Sequence, residues 1–198
     1  MLEDSYVKLF RTRYQEDQFV TSPYEDELEW LTPNMVYWIR VIMLIMNTVQ
    51  FQFPWLIKTN IGMMLVYLSF WGVWLTELSL FFSIWASEYE QGVNSIVDYK
   101  VMAVLINSLG ENVNIIVTIV SWIFILPLLW TMDDGWSTPA MVYFQLDNIF
   151  IHLLPFIYTT INMFLLSDMT VKYSDYWMIP IVSGTYLSIT YVWTKKSG

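Results

Sequence analysis

Five stretches of this chain are too long and too apolar to be kept soluble by the rest of it: residues 35–57, 61–86, 113–132, 141–166 and 177–193. The third and fifth carry no charge at all. The others hold only Arg40, Glu77, Asp147 and the single histidine, His152. A helix needs about 20 residues to cross the hydrocarbon core of a bilayer, with a usual range of about 17–25. Four runs meet that length and the fifth sits at its lower limit. The runs are continuous and do not alternate with period two, so helices are expected and a β-barrel is not. The expected fold is therefore all-α, a polytopic transmembrane helical bundle of about five spans. The short apolar run 101–106 is expected to form a surface or re-entrant helix.

Composition agrees with this reading. Charged residues make up 14% of the chain, against roughly 25% in an ordinary soluble domain, and mean hydropathy is +0.47. A disordered chain and most soluble enzymes are excluded on those grounds. The net charge is −9 and the basic residues never cluster, which argues against a nucleic-acid partner. With no cysteine, disulfides, thiolate metal sites and a cysteine nucleophile are excluded. No pattern calls for a cofactor or a metal ion.

Residues 1–34 differ from the rest. They hold Glu3, Asp4, Glu16, Asp17, Glu25, Asp26, Glu27 and Glu29 against Lys8, Arg11 and Arg13, with aromatics interleaved. This pattern is neither a signal peptide nor a transit peptide. It reads as an acidic-aromatic extramembrane arm, either a solvated tail or a docking segment. Residues 35–198 then form the bundle. Trp30, Trp55, Trp85, Trp130, Trp136, Trp177 and Trp193 all fall near span ends, as interfacial tryptophans do.

Ionisable groups inside spans are costly, about 2.5–3.5 kcal/mol each on insertion scales. Arg40 lies near enough to a span end to snorkel to the interface. Glu77 lies deeper. His152 shares a helix face with Asn148, four residues earlier, and Thr159 and Asn162 continue that stripe. Asn148 is thus placed to orient the imidazole, and Pro155 is expected to kink the helix and free nearby carbonyls. In span two, Gly62, Ser69, Gly72, Thr76, Ser79, Ser83 and Ala86 form a small-residue face of the kind that lets helices approach closely. Spans two and four run in the same direction, which puts Ser69 and His152 at comparable depth. A hydroxyl beside an imidazole is what an acyl-transfer nucleophile requires. A histidine that only hydrogen-bonds within the bundle is the plainer alternative.

At these residues the chain resembles the androgen-induced family of multi-span membrane proteins. Tyr67-Leu68-Ser69-Phe70-Trp71, with Phe81-Phe82 downstream, is similar to the family's Leu-Thr-aromatic-Trp segment. Asn148, His152 and Pro155-Phe156-Ile157 are similar to its Asn-His-x-x-His and Pro-Phe-Ile motifs, and Trp130, the 133–139 loop and Gly184 extend the likeness. The resemblance implies an intramembrane lipid-ester hydrolase, with Ser69 in the place of a nucleophilic Thr and His152 as the base. The chain departs from the family at Ser69, at Ile149 in place of a first His, and at Asn162 in place of a Glu. It also ends at Gly198, where the family continues into another span.

Two functions therefore stand from sequence. One is a non-catalytic accessory or scaffold subunit of a larger membrane complex, for which a mitochondrial respiratory or ATP synthase assembly is one host. Its partners are membrane lipids and other membrane-protein subunits, contacted through the 1–34 arm and the small-residue helix faces. The other is a fatty-acid ester hydrolase with Ser69 as nucleophile, His152 as base and Asn148 as orienter. The expected location is integral to a membrane, in the mitochondrial inner membrane or the endomembrane system.

Overall fold

The computed structural model describes residues 31–49, 67–88, 99–125, 127, 149–167 and 177–197. Among these the chain is all-helical. Helix α1 spans Pro33–Asn47, α2 Leu68–Glu88 and α3 Tyr99–Ile119, which continues as a π-helical turn over Val120–Ile125. Helix α4 is composite, with π turns at Ile149–Leu153 and Ile161–Leu165 flanking an α segment at Leu154–Thr160. Helix α5 spans Met178–Ser197. The 1–30 part of the arm, Asn148, and the span segments 50–66 and 128–148 lie outside the described residues.

Local chemistry sets the start of α1. Thr32 accepts a hydrogen bond from the Met35 amide at 3.4 Å, and Pro33 occupies the first turn, where its missing N–H is not needed. One set of buried residues recurs at a four–three spacing in each of four helices. They are Val36, Arg40, Met43 and Asn47 in α1, and Gly72, Thr76, Ser79, Ser83 and Ala86 in α2. In α3 they are Ala103, Asn107, Gly110, Asn114, Val117 and Ser121, and in α4 Pro155, Thr159 and Asn162, with Leu166 just beyond its end. This is the heptad period of helices packed against one another, and in α3 burial widens to every residue from 106 to 111.

Helix directions follow from the pairs that meet. Asn107 of α3 reaches Ser79 and Ser83, whereas Asn114 reaches Thr76, so α3 is antiparallel to α2. Arg40 of α1 reaches Asn162 near the end of α4, and Asn47 reaches the Val73 carbonyl early in α2. Val73 packs against Ile151, with Phe150 and Leu154 alongside. Helices α1 and α3 therefore run one way and α2 and α4 the other, an up-down-up-down bundle. Apolar clusters fill the spaces between the polar positions, the largest joining Leu31, Val36, Met43, Leu80, Tyr158 and Leu166.

Among the described residues, two helices are long and apolar enough to cross a membrane, Leu68–Ser87 and Val101–Phe124; the apolar helix Ile149–Leu165 is shorter. The second of these corrects the expectation for 101–106. That segment is the first part of α3, and the span expected to begin at 113 is already under way there. The apolar run is broken in sequence by Asn107, Ser108, Glu111 and Asn114, but all four side chains are buried within the bundle. A hydropathy break is therefore not a helix break at this point.

Candidate functional site: a buried polar seam

The four-three stripes meet along the bundle axis in a continuous line of polar side chains. Its upper layer centres on Arg40, which is completely buried. Arg40 does not snorkel. Its Nε donates to Asn162 Oδ1 at 2.9 Å, and its Nη2 donates to the Leu166 carbonyl at 2.8 Å and to Ser167 Oγ at 2.6 Å. A guanidinium only donates, so Asn162 must turn its oxygen to Arg40 and its nitrogen to the other side. There Nδ2 faces Ser83 Oγ and Asn107 Oδ1, both at 2.9 Å, and Ser79 Oγ at 3.5 Å. Asn107 is fixed in its turn: its oxygen accepts from Asn162 and Ser79, and its nitrogen donates to Ser83 Oγ at 3.1 Å and the Ala103 carbonyl at 2.9 Å. The cation thus orients two amides in series across four helices.

The middle layer contains Asn114, Thr76, Thr159 and Glu111. Asn114 donates to Thr76 Oγ1 at 2.9 Å and lies 3.5 Å from Thr159 Oγ1. Thr159 Oγ1 lies 2.5 Å from Glu111 Oε2, and Thr160 donates to Oε1 at 2.9 Å. Gly72 sits against this layer: a Cβ at that position would overlap the Asn114 side-chain oxygen, so Asn114 would have to move. Small size at 72 is what lets α2 and α3 close around this layer.

The lower layer holds the residues singled out from sequence. The turn before Pro155 is π-helical, and the His152 carbonyl accepts a hydrogen bond from Thr118 of α3. The His152 ring is half-buried, and its Nδ1 is buried without a hydrogen-bond partner. Ser69 is half-buried in the first turn of α2, one turn before Val73, whose neighbour is Ile151. Ser69 and His152 accordingly lie at the same end of the bundle. Among the described residues no hydrogen bond joins them. Asn148 lies outside those residues, so its orienting role has no geometry here. Asn162 and Thr159, which continue the His152 stripe in sequence, belong to the upper and middle layers instead.

Arg40, Asn107, Glu111 and Asn114 carry most of the seam, and reading by apolar runs passes over the last three. The signal that finds Asn107 and Asn114 is the recurrence of polar residues at 107, 114 and 121, a heptad on the buried side of α3; Glu111 follows Asn107 by one turn. No family model, curated protein or solved structure matches the chain. The likeness to the androgen-induced family therefore rests on its short motifs alone.

Proposed function

We propose that this chain is a membrane-embedded, non-catalytic scaffold subunit, a bundle of about five spans that holds its place among other membrane proteins. The observation that carries this reading is the inverted polarity of the bundle. Arg40, Asn47, Thr76, Ser79, Ser83, Asn107, Thr159 and Asn162 are fully buried, while Ile42, Ile45, Ile116, Ile119, Ile123 and Phe124 are exposed. Water favours the opposite arrangement, whereas lipid accepts apolar side chains outside and drives polar groups to bond with one another inside. In the upper and middle layers these polar groups are spent on holding helices to one another.

Helix α5 supports the docking half of the proposal. It meets the bundle through Tyr186 against Trp71, ring centroids 5.9 Å apart. Ile181, Leu187, Tyr191 and Val192 remain exposed, and a Cβ at Gly184 would meet nothing within 4 Å. A groove of about 370 Å³ runs along it, lined by Ser188, Ile189, Val192, Trp193 and Lys196. This is the helix with most surface left for a neighbouring span.

The hydrolase reading draws on the placement of Ser69 and His152 at one end of the bundle. One experiment separates the two. The native chain is extracted in mild detergent, sized by native electrophoresis, and labelled with a fluorophosphonate probe. The scaffold reading expects migration far above 23.5 kDa together with other chains, and no label that depends on Ser69. A lone chain whose labelling disappears in Ser69→Ala would overturn it in favour of the hydrolase.

A further inference from the structure

Glu111 is an acid in the wrong company for a charge. Its side chain is 7% exposed in the middle of α3, and its hydrogen-bond partners are two hydroxyls, Thr159 on Oε2 and Thr160 on Oε1. No cation bonds to it among the described residues. Arg40 of α1 directs its described bonds to Asn162, Leu166 and Ser167. Neither Glu77 of α2 nor His152 or Tyr158 of α4 bonds to the Glu111 carboxyl, and Lys195 and Lys196 sit exposed at the end of α5. A buried carboxylate without a counter-charge is strongly disfavoured, and such a group usually takes up a proton instead.

The hydroxyl count makes the same choice. Thr159 has one proton and two lone pairs. Around it lie Glu111 Oε2 at 2.5 Å, the Pro155 and Phe156 carbonyls both at 3.0 Å, and the Asn114 amide nitrogen at 3.5 Å. If Glu111 is ionised, Thr159 gives its only proton to the carboxylate and accepts only from Asn114. If Glu111 is a neutral acid, Oε2–H donates to Thr159, which also accepts from Asn114 and returns its own proton to the Pro155 carbonyl. Thr160 then donates to Oε1. Every donor and lone pair of the Thr159 hydroxyl is used only in the neutral arrangement.

We propose that Glu111, with Thr159 and Thr160, forms a proton-binding site in the bundle core, occupied at neutral pH. Loss of the proton from Oε2 is accompanied by rotation of the Thr159 hydroxyl from the Pro155 carbonyl to the carboxylate, so a single proton is released, one Thr159 hydrogen bond is exchanged for another, and no other covalent bond is broken. The site depends on burial within the bundle and not on any docking partner, so failure of the association experiment leaves it standing.

Infrared difference spectroscopy tests this on the full chain in phosphatidylcholine bilayers at neutral pH, comparing the parent with Glu111→Gln. The expected result is a protonated-carboxyl C=O band that is present in the parent, absent from the variant and sensitive to deuterium exchange. Gln mimics the neutral acid in shape, so the unfolding midpoint should be unchanged. If the difference spectrum instead shows carboxylate bands at Glu111, the proposal is overturned. Should Glu111→Gln not fold, Thr159→Val serves in its place. It retains the acid but removes its partner, and the protonated band should then shift; a parent spectrum without that band overturns the proposal on its own.

Discussion

Asn162 occupies the point where a buried cation, two serines and a second asparagine converge. Single interhelical hydrogen bonds in lipid contribute about 0.6–2 kcal/mol, and leaving a charged donor without its acceptor costs more. Asn162→Leu is therefore expected to destabilise the bundle by about 3 kcal/mol, read as a lowered midpoint in mixed-micelle unfolding. Phe164→Leu, two residues away on the exposed face, is expected to stay within about 0.5 kcal/mol of the parent. Equal effects of the two would show that the seam does not hold the helices. Asn162 could be singled out from sequence by its four–three relation to Thr159 and His152. Its partner Arg40 could not, because a long side chain near a span end has two destinations, interface and core. Only the acceptors contributed by α4 and the two residues after it decide between them.

At the scale of elements, the two glycines of α2 and α5 make contrasting claims. Gly72→Ala displaces the Asn114 side chain from its place between Thr76 and Thr159, and a loss of about 1–3 kcal/mol is expected, in the range of overpacked cores. Gly184→Ala meets open space and replaces a poor helix former with the best one, so a gain of about 0.5–1 kcal/mol is expected. Thermal unfolding of both variants in one detergent checks the pair. The small-residue stripe of α2 was legible because Gly, Ser, Thr and Ala at helical spacing have few other uses in an apolar span. Helix α3 was not, since its seam consists of amides and an acid, which hydropathy counts against a span wherever they point. The heptad spacing of 107, 114 and 121 carries the information that their polarity conceals. For α4, Pro155 marked the irregular turn, and the hydroxyl that reaches the His152 carbonyl, Thr118, was beyond reach because it lies 34 residues away.

For the whole molecule, a seam of interlocked polar groups inside an apolar exterior predicts where the chain opens last. Amide hydrogen exchange in bilayers is expected to be slowest over residues 103–117, where α3 touches α2 and α4, and faster throughout α5. Gly184→Leu should leave exchange within the four-helix bundle unaltered and weaken co-migration with larger assemblies in native electrophoresis. Co-migration at the parental level would move the docking face away from α5. The wiring of Arg40 has a further consequence, for biogenesis. Its acceptors lie 122 to 127 residues further along the chain, so α1 emerges from the ribosome long before they have been synthesised. The first helix thus carries an exposed marker of incompleteness until the fourth arrives. A nascent chain halted after residue 125 should be cleared by membrane quality control faster than the same fragment with Arg40→Leu, a comparison that a pulse-chase makes directly.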